Sequence, residues 1–136
     1  HLGPLLNFAR RSPRLPIVID HAAKPQISEG RYMAWRHAMV ALAELPNVHC
    51  KLSGLLTEAG EQKPQAVRPY VETILELFGP HRVIWGSDWP VLRLADDYHH
   101  WLAQCLDILP ADHHDAVFGS NAFRFYNLGG QRRKTL

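Results

Sequence analysis

The sequence predicts an α/β fold of parallel strands joined by crossover helices, and three observations carry that expectation. Helical and strand-like segments alternate along the 136 residues in the order helix, strand, helix, strand, helix, strand, helix. Each strand-like run is apolar in its body and polar at its C-terminal end, at His21, Ser53 and Asp88, spaced 32 and then 35 residues apart. A closed (β/α)8 barrel spends about 30 residues on each unit. An open doubly wound sheet would carry a glycine-rich fingerprint after its first strand, and neither GxGxxG nor a P-loop occurs. The spacing matches a TIM barrel without excluding an open sheet, which uses similar units; in a barrel, three strands are fewer than half.

The elements follow from local pattern. In "HLGPLLNFARRSP", Leu2, Leu5, Leu6 and Ala9 share one face at helical spacing, and Pro13 marks the stop. The β-branched run Ile17-Val18-Ile19 is too short for a helix and reads as a buried strand. Tyr32, Trp35, Met39 and Leu42 form the stripe of a second helix, ended by Pro46. "NVHCKLSG" is the second strand, followed by "LLTEAGEQKPQ", read as a loop, and a helix through Tyr70, Val71, Ile74, Leu75 and Phe78 that Gly79-Pro80 stops. "RVIWGSD" is the third strand. Asp96 is placed to cap the helix of Tyr98, Trp101, Leu102, Cys105 and Leu109, and a last helical region ends in "NAFRFYNL".

Bulk properties bound the function. Hydrophobic content of 46% and charged content of 21% fit one soluble globular domain, residues 1–128, with "GGQRRKTL" at 129–136 as a flexible tail. A net charge of +2 with scattered cations argues against a nucleic-acid surface. No apolar run reaches the roughly 18 residues of a membrane span. Cys50 and Cys105 read as two buried thiols in a reducing compartment, which places the protein in the cytoplasm. A start at His1, without Met or a signal peptide, reads as a chain lacking the front of a larger protein.

The polar strand ends carry the chemistry: Asp20-His21, then Lys51 and Ser53, then Ser87-Asp88. In parallel α/β folds ligands bind at that edge. Asp88 is a turn or cap residue on residue type alone, but the next helix begins too far along for it to cap. A carboxylate ending a buried strand beside Trp85 and Trp89 suits general-base work. His21 reads equally as a satisfied core histidine, and Lys51 as a salt-bridged lysine. Ser87 lacks the GxSxG elbow of a nucleophile. The pairs His99-His100 and His113-His114 diverge in direction on a helix and are read as solvated. Period alone leaves open which strand face points inward.

Four blocks, "IVIDHAAKP", "NVHCKLSGLLTEAG", "RVIWGSDWPVL" and "FGSNAFRFYNL", in this order and spacing, resemble the C-terminal half of amidohydrolase-related proteins. The resemblance spans residues 1–128, nearest in character to sugar-lactone hydrolases and 2-pyrone-4,6-dicarboxylate hydrolase. It implies the C-terminal part of a (β/α)8 barrel and hydrolysis of a cyclic ester, with a small-molecule sugar lactone as substrate. By the same resemblance Asp88 is the water-activating base and His21 a carbonyl polariser, both serving as ligands where a metal, zinc, is bound. Lys51, Ser53 and Trp89 are carried over as substrate-facing. The family's HxH motif is absent from this chain, and a chain with only half of the barrel wall would expose two open sheet edges that invite self-association. A metal-dependent decarboxylase of the same superfamily, or an inactive half-barrel, are the alternatives.

Overall fold

The computed structural model describes residues 2–62 and 65–129, so residues 130–136 of the expected tail lie outside the described residues. Three parallel strands, β1 (Ile17–Ile19), β2 (Val48–Leu52) and β3 (Val83–Trp85), pair in the order β1-β2-β3. The register aligns Ile19 with Cys50 and Cys50 with Val83. Helices α1 (Leu2–Arg11), α2 (Tyr32–Ala43), α4 (Arg68–Phe78) and α5 (Tyr98–Ile108) fall where the apolar periodicity predicts them.

Burial settles which strand face looks where. Val48, Cys50 and Leu52 are fully buried against the helices, while His49 and Lys51 alternate onto a half-exposed opposite face. The helix side is packed by Met39, Leu42, Val71, Ile74 and Phe78, all at 3% exposure or less. Each such side chain contributes roughly 1.5–3 kcal/mol on burial. The opposite face is covered in part by α6 (Asn121–Phe125), whose Phe125 ring stands 4.8 Å from that of His49. Asn121 anchors this segment: 2% exposed, its side-chain amide donates to the carbonyls of Pro80 (2.6 Å) and Val83 (2.7 Å) at the start of β3.

Three local readings need correction. The segment after β2 is not a plain loop: Leu55, Leu56 and Ala59 bury one face of a short helix, α3 (Leu55–Ala59), between Gly54 and Gly60. Residues 63 and 64 of that stretch lie outside the described residues. The cap of α5 is Asp97, whose carboxylate accepts from the His100 amide at 2.9 Å. Asp96 instead faces the His100 ring at 3.0 Å. His99 and His100 are solvated as expected, but His114 Nε2 is within 2.9 Å of the Leu109 carbonyl and His113 Nδ1 is buried with no protein partner. These two sit where the chain turns off α5, not on an open helix face.

Cys50 and Cys105 are buried and unpaired, and burial pushes both thiols up, so both are inert. None of the described helices is long and apolar enough to cross a membrane. β1 and β3 each have one neighbour, so among the described residues the sheet has two open edges.

One cation ties the helix layer to the sheet. Arg82, leading into β3, donates to the carbonyls of Leu45 and Val48 at 3.0 Å and of Ala43 at 2.9 Å. It thereby serves the end of α2, where carbonyls have no helical partner. Arg82→Met keeps the apolar stem and removes the three donors, and is expected to cost roughly 2 kcal/mol or more in denaturant unfolding. Unchanged stability would mean that those carbonyls are served by solvent.

Candidate active site

The C-terminal ends of the three strands converge. His21 lies one residue beyond Asp20, which follows β1, and opens a run of four residues, His21 to Lys24, with φ of 46°, 49°, 62° and 50°. None is glycine, and each left-handed residue costs roughly 1–2 kcal/mol. Packing holds the turn. Ala22 is fully buried and its carbonyl accepts from the Trp35 indole at 2.8 Å, while the Lys24 amide closes onto the His21 carbonyl at 2.8 Å.

Asp88 follows β3 and is also left-handed, at φ 60°. Aspartate tolerates this better than most residues. Ser87 supports the bend through its hydroxyl, which accepts from the Trp89 amide at 3.2 Å, and the Trp101 indole holds the Gly86 carbonyl at 3.0 Å. Ser87 is thus a turn residue. The bend brings the Asp88 carboxylate, 11% exposed, to 3.5 Å from His21 Nε2.

His21 is surrounded on every polar edge. Its Nδ1 lies 2.8 Å from the Ser53 hydroxyl, and its Nε2 faces Asp20 at 3.3 Å as well as Asp88. Ser53 is 1% exposed, so it reaches the cleft through the His21 ring and not directly. Lys51 lies on the half-exposed face and binds Asp20 at 2.8 Å. Thr57, on α3, donates a long 3.4 Å bond to the other oxygen of Asp88. His21, Lys24, Thr57, Glu58, Asp88 and Val91 line a cleft of about 90 Å³. Trp89 is 67% exposed and stands outside that lining.

The structure thus gathers His21, Asp88, Lys51 and Ser53 into one network and leaves Trp89 at its margin. Sequence reasoning named Asp20 only as part of a polar strand end, without a role, and passed over Thr57. Asp20 had a signal, since it belongs to the same polar strand end as His21; Thr57 had none once its segment was taken for a loop. A larger hollow of about 550 Å³ opens between α1 and α2, lined by Leu2, Trp35 and Arg31 among others. It holds no acid–base pair, so size there does not mark the chemistry.

The Lys51 ammonium is the main reason why the Asp20 carboxyl is held below the usual carboxylate range, and Asp20 in turn raises Lys51. The pair is formed across the neutral range. Its contribution is lost as pH falls through the depressed Asp20 value or rises through the elevated Lys51 value. Asp20 is 59% exposed, so that contribution is small. On the same face, desolvation first of all lowers His49.

The donor set meets part of what zinc requires. Two ligands about 2.1 Å from a tetrahedral ion stand roughly 3.4 Å apart. His21 Nε2 and Asp88 Oδ1, at 3.5 Å, fit two such positions. Among the described residues no group of three or more His, Cys, Asp or Glu side chains is gathered for a metal. Further ligands would have to come from beyond them.

The chain as a whole is similar to known proteins. A family model described as amidohydrolase matches residues 2–128. An L-fucono-1,5-lactonase of Burkholderia ambifaria is 58% identical over 94% of this chain and 47% of its own length. An L-fucono-1,5-lactonase of Burkholderia multivorans is 36% identical over 89% of this chain and 46% of its own. The crystal structure of an amidohydrolase from Burkholderia multivorans with bound zinc superimposes with a TM-score of 0.86 at 35% identity, covering 93% of this chain and 49% of that one. The chain therefore spans about half the length of the curated relatives it matches.

Replacing Asp20 by Asn removes the main cause that raises Lys51. Lys51 is expected to titrate at lower pH in that variant, read by the pH dependence of amine acylation at this residue. An unchanged profile would show that the 2.8 Å pair does not govern the lysine.

Proposed function

The chain belongs to the amidohydrolase family, and from that premise we propose that its cleft serves the opening of sugar lactones by water. The observation that carries the reading is the approach of the sheltered Asp88 carboxylate to His21 at the C-terminal edge of a parallel sheet. Water is the nucleophile. Asp88 takes one of its protons as the oxygen bonds to the lactone carbonyl carbon, and His21 stabilises the charge that grows on the carbonyl oxygen. The ring C–O bond then breaks, and the proton held by Asp88 passes to the departing ring oxygen. The product is an open-chain hydroxy acid.

His21 and Asp88 are also the residues that would hold a zinc ion, which when bound supplies Lewis acidity at the carbonyl and at water. Lys51 is assigned to the substrate side, where an ammonium suits the carbonyl or the product carboxylate. The exposed Trp89 indole is assigned as a rim on which the apolar face of a sugar ring rests. The reading extends to the cytoplasm as location, supported by two unpaired thiols, and to association through the open edges of β1 and β3.

The test is an aldonolactone-opening assay on this chain joined behind the N-terminal half of the Burkholderia ambifaria relative. That protein is expected to open L-fucono-1,5-lactone, and Asp88→Asn to lower its rate by about 10²-fold or more. Full turnover in the Asp88→Asn variant would remove Asp88 from the mechanism.

A further inference from the structure

We propose that Ser53 is a positioning residue, a hydroxyl whose work is to fix the His21 ring and so decide which imidazole nitrogen the cleft meets. The consequence for turnover rests on the lactone-opening reading; the ring geometry does not. Ser53 is 1% exposed and its Oγ lies 2.8 Å from Nδ1, so it has no room to touch a substrate. The next residue closes the seat. Gly54 has φ 71°, and a Cβ there would stand 3.0 Å from the Cβ, Cγ and Nδ1 of His21. The ring therefore lies against a bare Cα, tied to a buried hydroxyl at Nδ1, with Nε2 directed at Asp20 and Asp88 at 3.3 and 3.5 Å.

The choice of a hydroxyl matters. A carboxylate or carbonyl at Nδ1 would only accept, and would hold the proton on Nδ1 permanently. A serine both donates and accepts. Before an electrophile enters, two carboxylates draw the proton of the neutral ring to Nε2, and Ser53 then donates its O–H to Nδ1. Were a zinc ion to take the Nε2 lone pair, the proton would reside on Nδ1 and Ser53 would turn to accept the hydrogen bond from it. The ring does not have to move in either state.

The experiment is imidazole ¹⁵N spectroscopy of the 136-residue chain at about pH 9, where an ordinary histidine is neutral. His21 is expected to be predominantly the Nε2–H form with a hydrogen-bonded Nδ1. Ser53→Ala is expected to leave the proton on Nε2, where the carboxylates draw it, but to move the Nδ1 resonance to that of an unbonded nitrogen and to broaden the ring signals, and Ser53→Thr, which returns the hydroxyl, to restore both. The other histidine signals report whether each variant is folded, and Gly54→Ala, which crowds the ring without touching the hydroxyl, should disturb the same His21 signals. A His21 spectrum that is identical in wild type and folded Ser53→Ala would overturn the proposal. In the lactone assay Ser53→Ala is expected to lower kcat by roughly 10- to 100-fold with little change in KM. A change confined to KM would overturn it too. The spectra need no turnover, so failure of the lactone reading would leave the ring assignment standing.

Discussion

The parallel pairing that aligns Ile19, Cys50 and Val83 is the constraint on which everything else depends. Because the strands run the same way and in this register, their last residues emerge together at one edge, and the turns beyond them meet within hydrogen-bonding distance. The side-chain alternation of β2 does the rest. It turns Val48, Cys50 and Leu52 into the helix layer and leaves His49 and Lys51 on the face toward which Asp20 also reaches. A slip of one residue would send Lys51 into the core and break the pair with Asp20.

At that edge the chain departs from comfortable backbone geometry. Four left-handed residues after β1 and one after β3 store strain, and in each case buried contacts hold them: Trp35 on Ala22, Trp101 on Gly86. The result is a histidine whose orientation is set before any ligand arrives, and a carboxylate aimed at it. Preorganisation of this kind lowers the reorganisation that a reaction would otherwise require. Among the described residues β1 and β3 leave both sheet edges open, and this chain spans about half the length of the curated relatives it matches.

Much of this was legible in the sequence because the signals were periodic. The β-branched runs, the helical stripes and the polar strand ends fixed the element order, and four ordered blocks carried the family. The nonlocal features were not legible. Nothing in "DHAAKP" announces a left-handed turn, since two alanines favour ordinary helix, and only Trp35 and Gly54 make it tenable. Helix α3 hid because five residues show too little period, and Thr57 went with it. Ser53 looked substrate-facing because the resemblance carried it over with Lys51; that His21 would fold over it depends on the turn. Asp20 was visible at the strand end, but its importance came only with the distances to Lys51 and His21.

The central claim is that Asp88 and His21 act as one unit on the reacting carbonyl. A double-mutant cycle on the lactone-opening rate of the completed barrel, with His21→Gln and Asp88→Asn separately and together, tests it most directly. If the two form a unit, the double variant loses about as much as the worse single variant. If the two losses multiply, each residue acts alone, and the paired mechanism is wrong.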